Sequence, residues 1–162
     1  MAPKSGPVHG HTQQQHLQMA RNYCFACGKD NPEGMHLKFT LDEASRSFVA
    51  RLRLPQRFQG PPGHAHGGII ATVLDEAMGK VSRLRSVVAL TSEMRVEYLR
   101  PVPLGTPLIV EGREVRKRGR RLVHAAELRN QQGQVLARSV GTFVVVDPEK
   151  MFARHLRKDR RR

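Results

Sequence analysis

One stretch of this chain has the period of a helix, and the segments on either side have the period of strands. From Gly67 onward, Ile70, Val73, Leu74, Ala77, Met78 and Val81 recur at steps of three and four. That spacing predicts a helix over 67 to about 84 with a single buried stripe. Before it, Leu37, Phe39 and Leu41 alternate with polar residues, as do Phe48, Ala50, Leu52 and Leu54. The polar Asp-Glu-Ala-Ser-Arg-Ser between the two runs predicts a hairpin. After the helix, strands are expected at 88–98, 107–115, 121–128 and 135–146, with turns at LRPVPLGT, RKRG and NQQG. One long helix cannot supply the crossovers of a parallel sheet. The order therefore implies an α+β fold: an antiparallel sheet of about six strands wrapped around one long central helix.

At 162 residues the chain suffices for one domain with its own core. Residues 1–20 mix Pro, Gly, His and Gln without a period and read as a mobile N-terminal arm. Residues 21–148 read as the folded domain and 149–162 as a basic C-terminal tail. Asn31-Pro32-Glu33-Gly34 predicts a turn, and 55–66 is too rich in Pro and Gly to be anything but a loop. The absence of a long apolar run leads to the expectation of a cytoplasmic protein. Of the formal charge of +14, +5 lies in residues 151–162 and +8 in 21–150. Such a balance points to anionic partners: nucleic acid, acidic lipid or a phosphorylated small molecule. With no Trp and two Tyr, an aromatic platform for stacked bases is not expected.

The helix start carries chemistry. His66-Gly67-Gly68 lets another molecule approach the backbone closely, and first-turn amides lack intrahelical acceptors, so this end favours an oxygen gaining negative charge. Asp75 lies on the flank of the apolar stripe, where desolvation would sharpen its basicity as a nucleophile or general base. Glu76 points about 100° away and reads as a solvated residue. Cys24 and Cys27 are the only cysteines. Their spacing supplies half of a structural zinc site or a redox dithiol, with His36 or a second subunit as the completing ligand. Reduced thiols fit the cytoplasm.

The stretch HGGIIATVLDEAMG resembles the helix motif of hotdog-fold acyl-CoA thioesterases of the phenylacetic-acid-pathway type. CFACGKDNPEGMHL at 24–37 and TSEMRVEYLRPVPLG at 91–105 extend the resemblance over about residues 22–146. It implies the hotdog fold and hydrolysis of acyl-CoA to a free acid and coenzyme A. It further implies Asp75 as the catalytic carboxylate, Gly67 or Gly68 as oxyanion donor, His66 as a positioning group and Thr91 as a second polar residue. No metal and no cofactor are implied, and a homodimer, or a dimer of dimers, is expected.

Met94, Val96 and Tyr98 share a strand face from which Thr91 is out of phase, so Thr91 turns inward at a bulge, faces a subunit interface, or has no part in the site. Arg116, Lys117, Arg118, Arg120 and Arg121 cluster on one basic hairpin, suited to coenzyme A phosphates or simply solvated. The alternative is a non-catalytic acyl-CoA sensor or binding module that uses the basic tail on nucleic acid. Contact of that tail with nucleic acid or an anionic membrane has only its charge in favour.

Overall fold

The computed structural model describes residues 21–159, and side-chain surroundings through His155; the expected N-terminal arm, 1–20, lies outside the described residues. The strands are β1 (Thr40–Asp42), β2 (Ser47–Leu52), β3 (Val88–Tyr98), β4 (Leu108–Arg118), β5 (Arg121–Asn130) and β6 (Val135–Val146). The helices are α1 (Gly67–Val81), between β2 and β3, and α2 (Pro148–Asp159), after β6. The strands form one six-stranded sheet in the order β1-β2-β4-β5-β6-β3, and every neighbouring pair is antiparallel. This is the hotdog arrangement, and α1 lies across one face of the sheet. No described helix is long and apolar enough to cross a membrane.

The stripe read from the sequence is the stripe that packs. Ile70, Val73, Leu74, Ala77, Met78 and Val81 are the buried residues of α1, and the first five share one core cluster with Val110, Leu122, Leu128 and Phe143 from the sheet. The helix begins where His66 caps it, and a 3₁₀ turn at Ser82–Arg85 followed by left-handed Ser86 (φ 52°) ends it. Two glycines let α1 approach closely. A Cβ at Gly112 would stand 2.2 Å from the carbonyl oxygen of Ala77, and one at Gly141 would stand 3.1 Å from Met78 Cε.

Three expectations need correction. The first strand is shorter than the alternation of Leu37, Phe39 and Leu41 suggests, because Met35 and Leu37 donate their N–H groups to Phe25 and Ala26 and His36 sits at φ 53°. That backbone is committed to the 24–28 segment, and only Thr40–Asp42 pairs with β2. The basic tail is not featureless: Asp147 Oδ1 accepts the N–H groups of Glu149 and Lys150, capping α2 with Pro148 as its first residue. β4 runs on through RKR to Arg118, so the turn is Gly119-Arg120, with Gly119 at φ 58°. The expected turn at Asn31–Gly34 is present, closed by Gly34 N–H to Asn31 O at 3.0 Å.

His124, fully buried on β5, stacks on Phe143 at 5.0 Å between ring centroids. Its Nδ1 lies 2.8 Å from Met78 O and must carry the proton, since a carbonyl only accepts. The other ring nitrogen, Nε2, is buried without a partner. Burial, the largest influence, holds the imidazole below its ordinary pKa.

Two outcomes follow from this packing. Gly112→Ala forces α1 off the sheet and lowers stability in urea unfolding by about 1–3 kcal/mol, the usual range for overpacking; an unchanged midpoint would contradict the close approach. The depressed His124 pKa means that the unfolded chain takes up a proton below about pH 6.5 while the folded chain still refuses it. Stability is therefore full above that pH and declines as pH falls toward the lower folded value, and His124→Phe flattens the decline.

Candidate active site

The Asp75 carboxylate emerges from the middle of α1, half-buried at the margin of the apolar stripe. It faces β3, one of the two edge strands of the sheet. There the register with β6 shifts between Thr91 and Glu93, leaving Ser92 as the extra residue of a bulge. Thr91 lies opposite Phe143 and Met94 opposite Gly141, so both sit on the face that meets α1. The bulge thus resolves the phase conflict of the sequence pattern, and Thr91 Oγ1 donates to Asp75 Oδ1 at 2.7 Å.

Burial raises the Asp75 pKa above the ordinary carboxylate value; the Thr91 bond lowers it somewhat, and neighbouring Glu76 raises it again. Desolvation is the dominant influence, so the result is a more basic carboxylate with Oδ1 held and Oδ2 left to take a proton.

The other half of the expected chemistry is at the N-terminus of α1. His66 Nδ1 accepts the Gly68 N–H at 2.9 Å, capping the helix. Gly68 is therefore already bonded, and the Gly67 N–H meets no acceptor among the described residues. Tyr98 stands beside it, its hydroxyl donating to Gly67 O at 3.0 Å. With no acidic residue in the first turn, the positive end of the helix is not neutralised. This is the electrostatics an oxyanion requires.

Position 67 lies eight residues before Asp75, roughly 12 Å along the helix at 1.5 Å per residue. One chain therefore brings together Asp75 with Thr91, and His66 with Gly67 and Gly68, as two half-sites separated along α1.

The basic hairpin is arranged differently from the simple cluster expected. Leu122 and His124 point toward α1, and Lys117 is the partner of Leu122; Arg116 pairs with Val123 and Arg118 with Arg121, on the opposite face. Arg120 gives both Nε and Nη2 to Val145 O. Of the expected cluster, Arg116, Arg118 and Arg121 are thus exposed on the face away from Asp75, and Lys117 shares its side.

Glu76, expected to be solvated, is instead paired with Lys80 at 2.7 Å in a sheltered position. His36 does not approach the cysteines; its Nε2 bonds Asn31 O. The third metal-capable group beside Cys24 and Cys27 is Glu76, which no spacing within the cysteine segment signals.

A helix packed on one face of a six-stranded antiparallel sheet, with an open amide at the helix start and a basic carboxylate farther along it, is an arrangement that can polarise a carbonyl and activate a nucleophile. Comparison with known proteins agrees. The family described as "Thioesterase superfamily" matches residues 62–137. The acyl-coenzyme A thioesterase THEM4 of Rattus norvegicus is 25% identical over 134 residues, which are 82% of this chain and 58% of that protein. The chain thus spans little more than half the length of this curated relative. Among solved structures, the thioesterase superfamily protein RHA08564 superposes with a TM-score of 0.71 at 29% identity, over 76% of this chain and 60% of that one. The smu.793 protein of Streptococcus mutans, solved bound to acetyl-CoA, gives 0.63 at 26% identity, over 68% and 88%. The fold is thus the one these thioesterase-superfamily structures share, and the family match falls on the segment that holds α1, β3, β4 and β5.

Replacing Thr91 with Val removes the one bond that lowers the Asp75 pKa. Carboxyl-carbon NMR should then show Asp75 titrating at a higher pH than in the parent. An identical titration curve would mean that the Thr91 hydroxyl does not hold the carboxylate in solution.

Proposed function

We propose that this protein hydrolyses acyl-CoA thioesters. The observation that carries the reading is the Thr91-held, half-buried Asp75 on a helix whose Gly67 amide is open. The thioester oxygen accepts from the Gly67 N–H at the positive end of α1. Asp75 takes a proton from the attacking water, or attacks the carbonyl carbon itself, and coenzyme A leaves as the thiol. His66 acts as a positioning residue by holding the Gly68 amide and squaring the first turn. Thioester cleavage needs no metal in this scheme. The acetyl-CoA bound to the Streptococcus mutans relative supports a coenzyme A ester as the substrate class.

The separation of Gly67 and Asp75 makes the homodimer part of the proposal. Two α1 helices antiparallel across a twofold axis would bring the Gly67 amide of one subunit beside Asp75 of the other, giving two equivalent sites. β3 supports this, being an eleven-residue edge strand whose free edge is suited to pairing with a second copy. A dimer of dimers is compatible with the same pairing. Lys117, on the α1 side of the hairpin, and Arg116, Arg118, Arg120 and Arg121 are the proposed phosphate contacts, the arginines reaching the ligand round the hairpin tip. The reading carries a cytoplasmic location, where coenzyme A esters and reduced thiols coexist.

A thiol-release screen over short, long and aromatic acyl-CoAs tests the activity. Asp75→Asn should lower kcat on the best substrate by about 10²–10⁴-fold, the usual worth of a general base, with KM little changed. A wild-type rate would remove Asp75 from the mechanism. Asp75→Asn subunits mixed with Gly67→Pro subunits should recover about a quarter of parental activity, because half the dimers are mixed and each holds one intact site. No recovery after verified subunit exchange would place each site within one chain.

A further inference from the structure

The segment before β1 folds back on itself tightly. Gly28 N–H bonds Cys24 O at 2.8 Å and Asp30 N–H bonds Asn22 O at 3.0 Å. A Cβ at Gly28 would stand 2.4 Å from Cys24 N, so only glycine fits there. The turn brings both cysteine sulfurs and a Glu76 carboxylate oxygen within 4.8 Å of one another. Lys80, one helical turn beyond Glu76, places its Nζ 3.1 Å from Cys27 Sγ and 2.7 Å from Glu76 Oε1.

An ion pair this sheltered, with side chains 13% and 18% exposed, gives up hydration that a surface pair would keep. Its placement against a thiol supplies an acid and a base to that sulfur. The two thiols are also unequal, for both are free and Cys24 is exposed while Cys27 is half-buried. We propose that Cys24 and Cys27 are a redox site: peroxide oxidises the exposed Cys24, and Cys27 closes a reversible disulfide onto it while Glu76 takes the Cys27 proton.

In the first step the Cys24 sulfur attacks a peroxide oxygen and the O–O bond breaks. Cys24 becomes a sulfenic acid and, with hydrogen peroxide, one water leaves with the thiol proton. In the second, Cys27 sulfur attacks Cys24 sulfur, the S–S bond forms and the S–O bond breaks. The departing hydroxide leaves as water with the Cys27 proton, relayed by Glu76. Two electrons pass from the dithiol to the peroxide.

The order of attack follows from the surroundings. Burial first, and then Glu76, push the Cys27 thiol up to about 12, so Cys27 is a poor first nucleophile and needs a base when its turn comes. The same contacts argue against a resident metal, since the cluster offers three donors and the Lys80 ammonium already engages two of them. Neither step needs a thioester, so the site is independent of the hydrolytic reading.

The experiment uses the reduced full-length chain, hydrogen peroxide, thiol alkylation and peptide mapping. Trypsin should release residues 22–29 with both cysteines in one peptide, lighter by two hydrogens after peroxide and restored by dithiothreitol. Cys27→Ser should accumulate a Cys24 sulfenic acid that dimedone traps, and Cys24→Ser should leave Cys27 unoxidised. Glu76→Gln, assayed below its own melting transition, should slow closure by about tenfold or more and increase the trapped sulfenic acid. Free thiols on both residues of the parent chain, under the peroxide dose that yields a trapped Cys24 sulfenic acid in Cys27→Ser, would overturn the proposal. So would disulfides formed only between chains, or closure at the parental rate in Glu76→Gln. Zinc retained by the reduced protein through gel filtration, and lost in either cysteine variant, would assign the cluster to a metal instead.

Discussion

The close approach of α1 to the sheet is the contact on which the rest of the structure depends. At Gly112 a backbone carbonyl of the helix occupies the space where any other residue would carry its Cβ. That proximity buries the Ile70 to Val81 stripe completely enough to hold the helix in one rotation. The rotation in turn decides which flank residues meet the sheet edge. Asp75 reaches Thr91 on β3, and Glu76, one step round the helix, reaches the cysteine segment on the other side. Two chemically distinct clusters are therefore fixed by one packing contact.

Helix period and strand period are both local signals, and where packing follows them the sequence is legible. The six buried positions of α1 follow from their spacing alone, as do the bounds of β3 and β6, because alternation with a buried face leaves few registers open. The first strand misleads because alternation is not sufficient: the N–H groups of Met35 and Leu37 are already committed to Phe25 and Ala26. α2 hides behind the net charge of the tail, although Asp147, Pro148 and Glu149 spell a helix start.

The site is legible in residue type but not in geometry. The Gly-Gly start and the carboxylate eight residues on can be named from the chain, and so can the conflict at Thr91. Its resolution by a bulge at Ser92 depends on the pairing of β3 with β6, a contact between segments far apart in sequence. For the same reason Glu76 looks like a surface residue, because Lys80 and Cys27 close over it only when the 24–28 turn lies against the helix. Which face of the β4–β5 hairpin carries Lys117 depends on a second register shift, between Glu114 and Arg116.

The central claim is that one thioester carbonyl is held by the helix start of one subunit and met by the carboxylate of another. A crystal structure with a non-hydrolysable ketone analogue of the best acyl-CoA substrate tests it most directly. The account predicts the ketone oxygen ~3 Å from the Gly67 amide of one subunit, with Asp75 of the second subunit ~3 Å from the carbonyl carbon or from a water beside it. A ketone oxygen bound away from the helix start, or contacts to Gly67 and Asp75 made by a single chain, would contradict it.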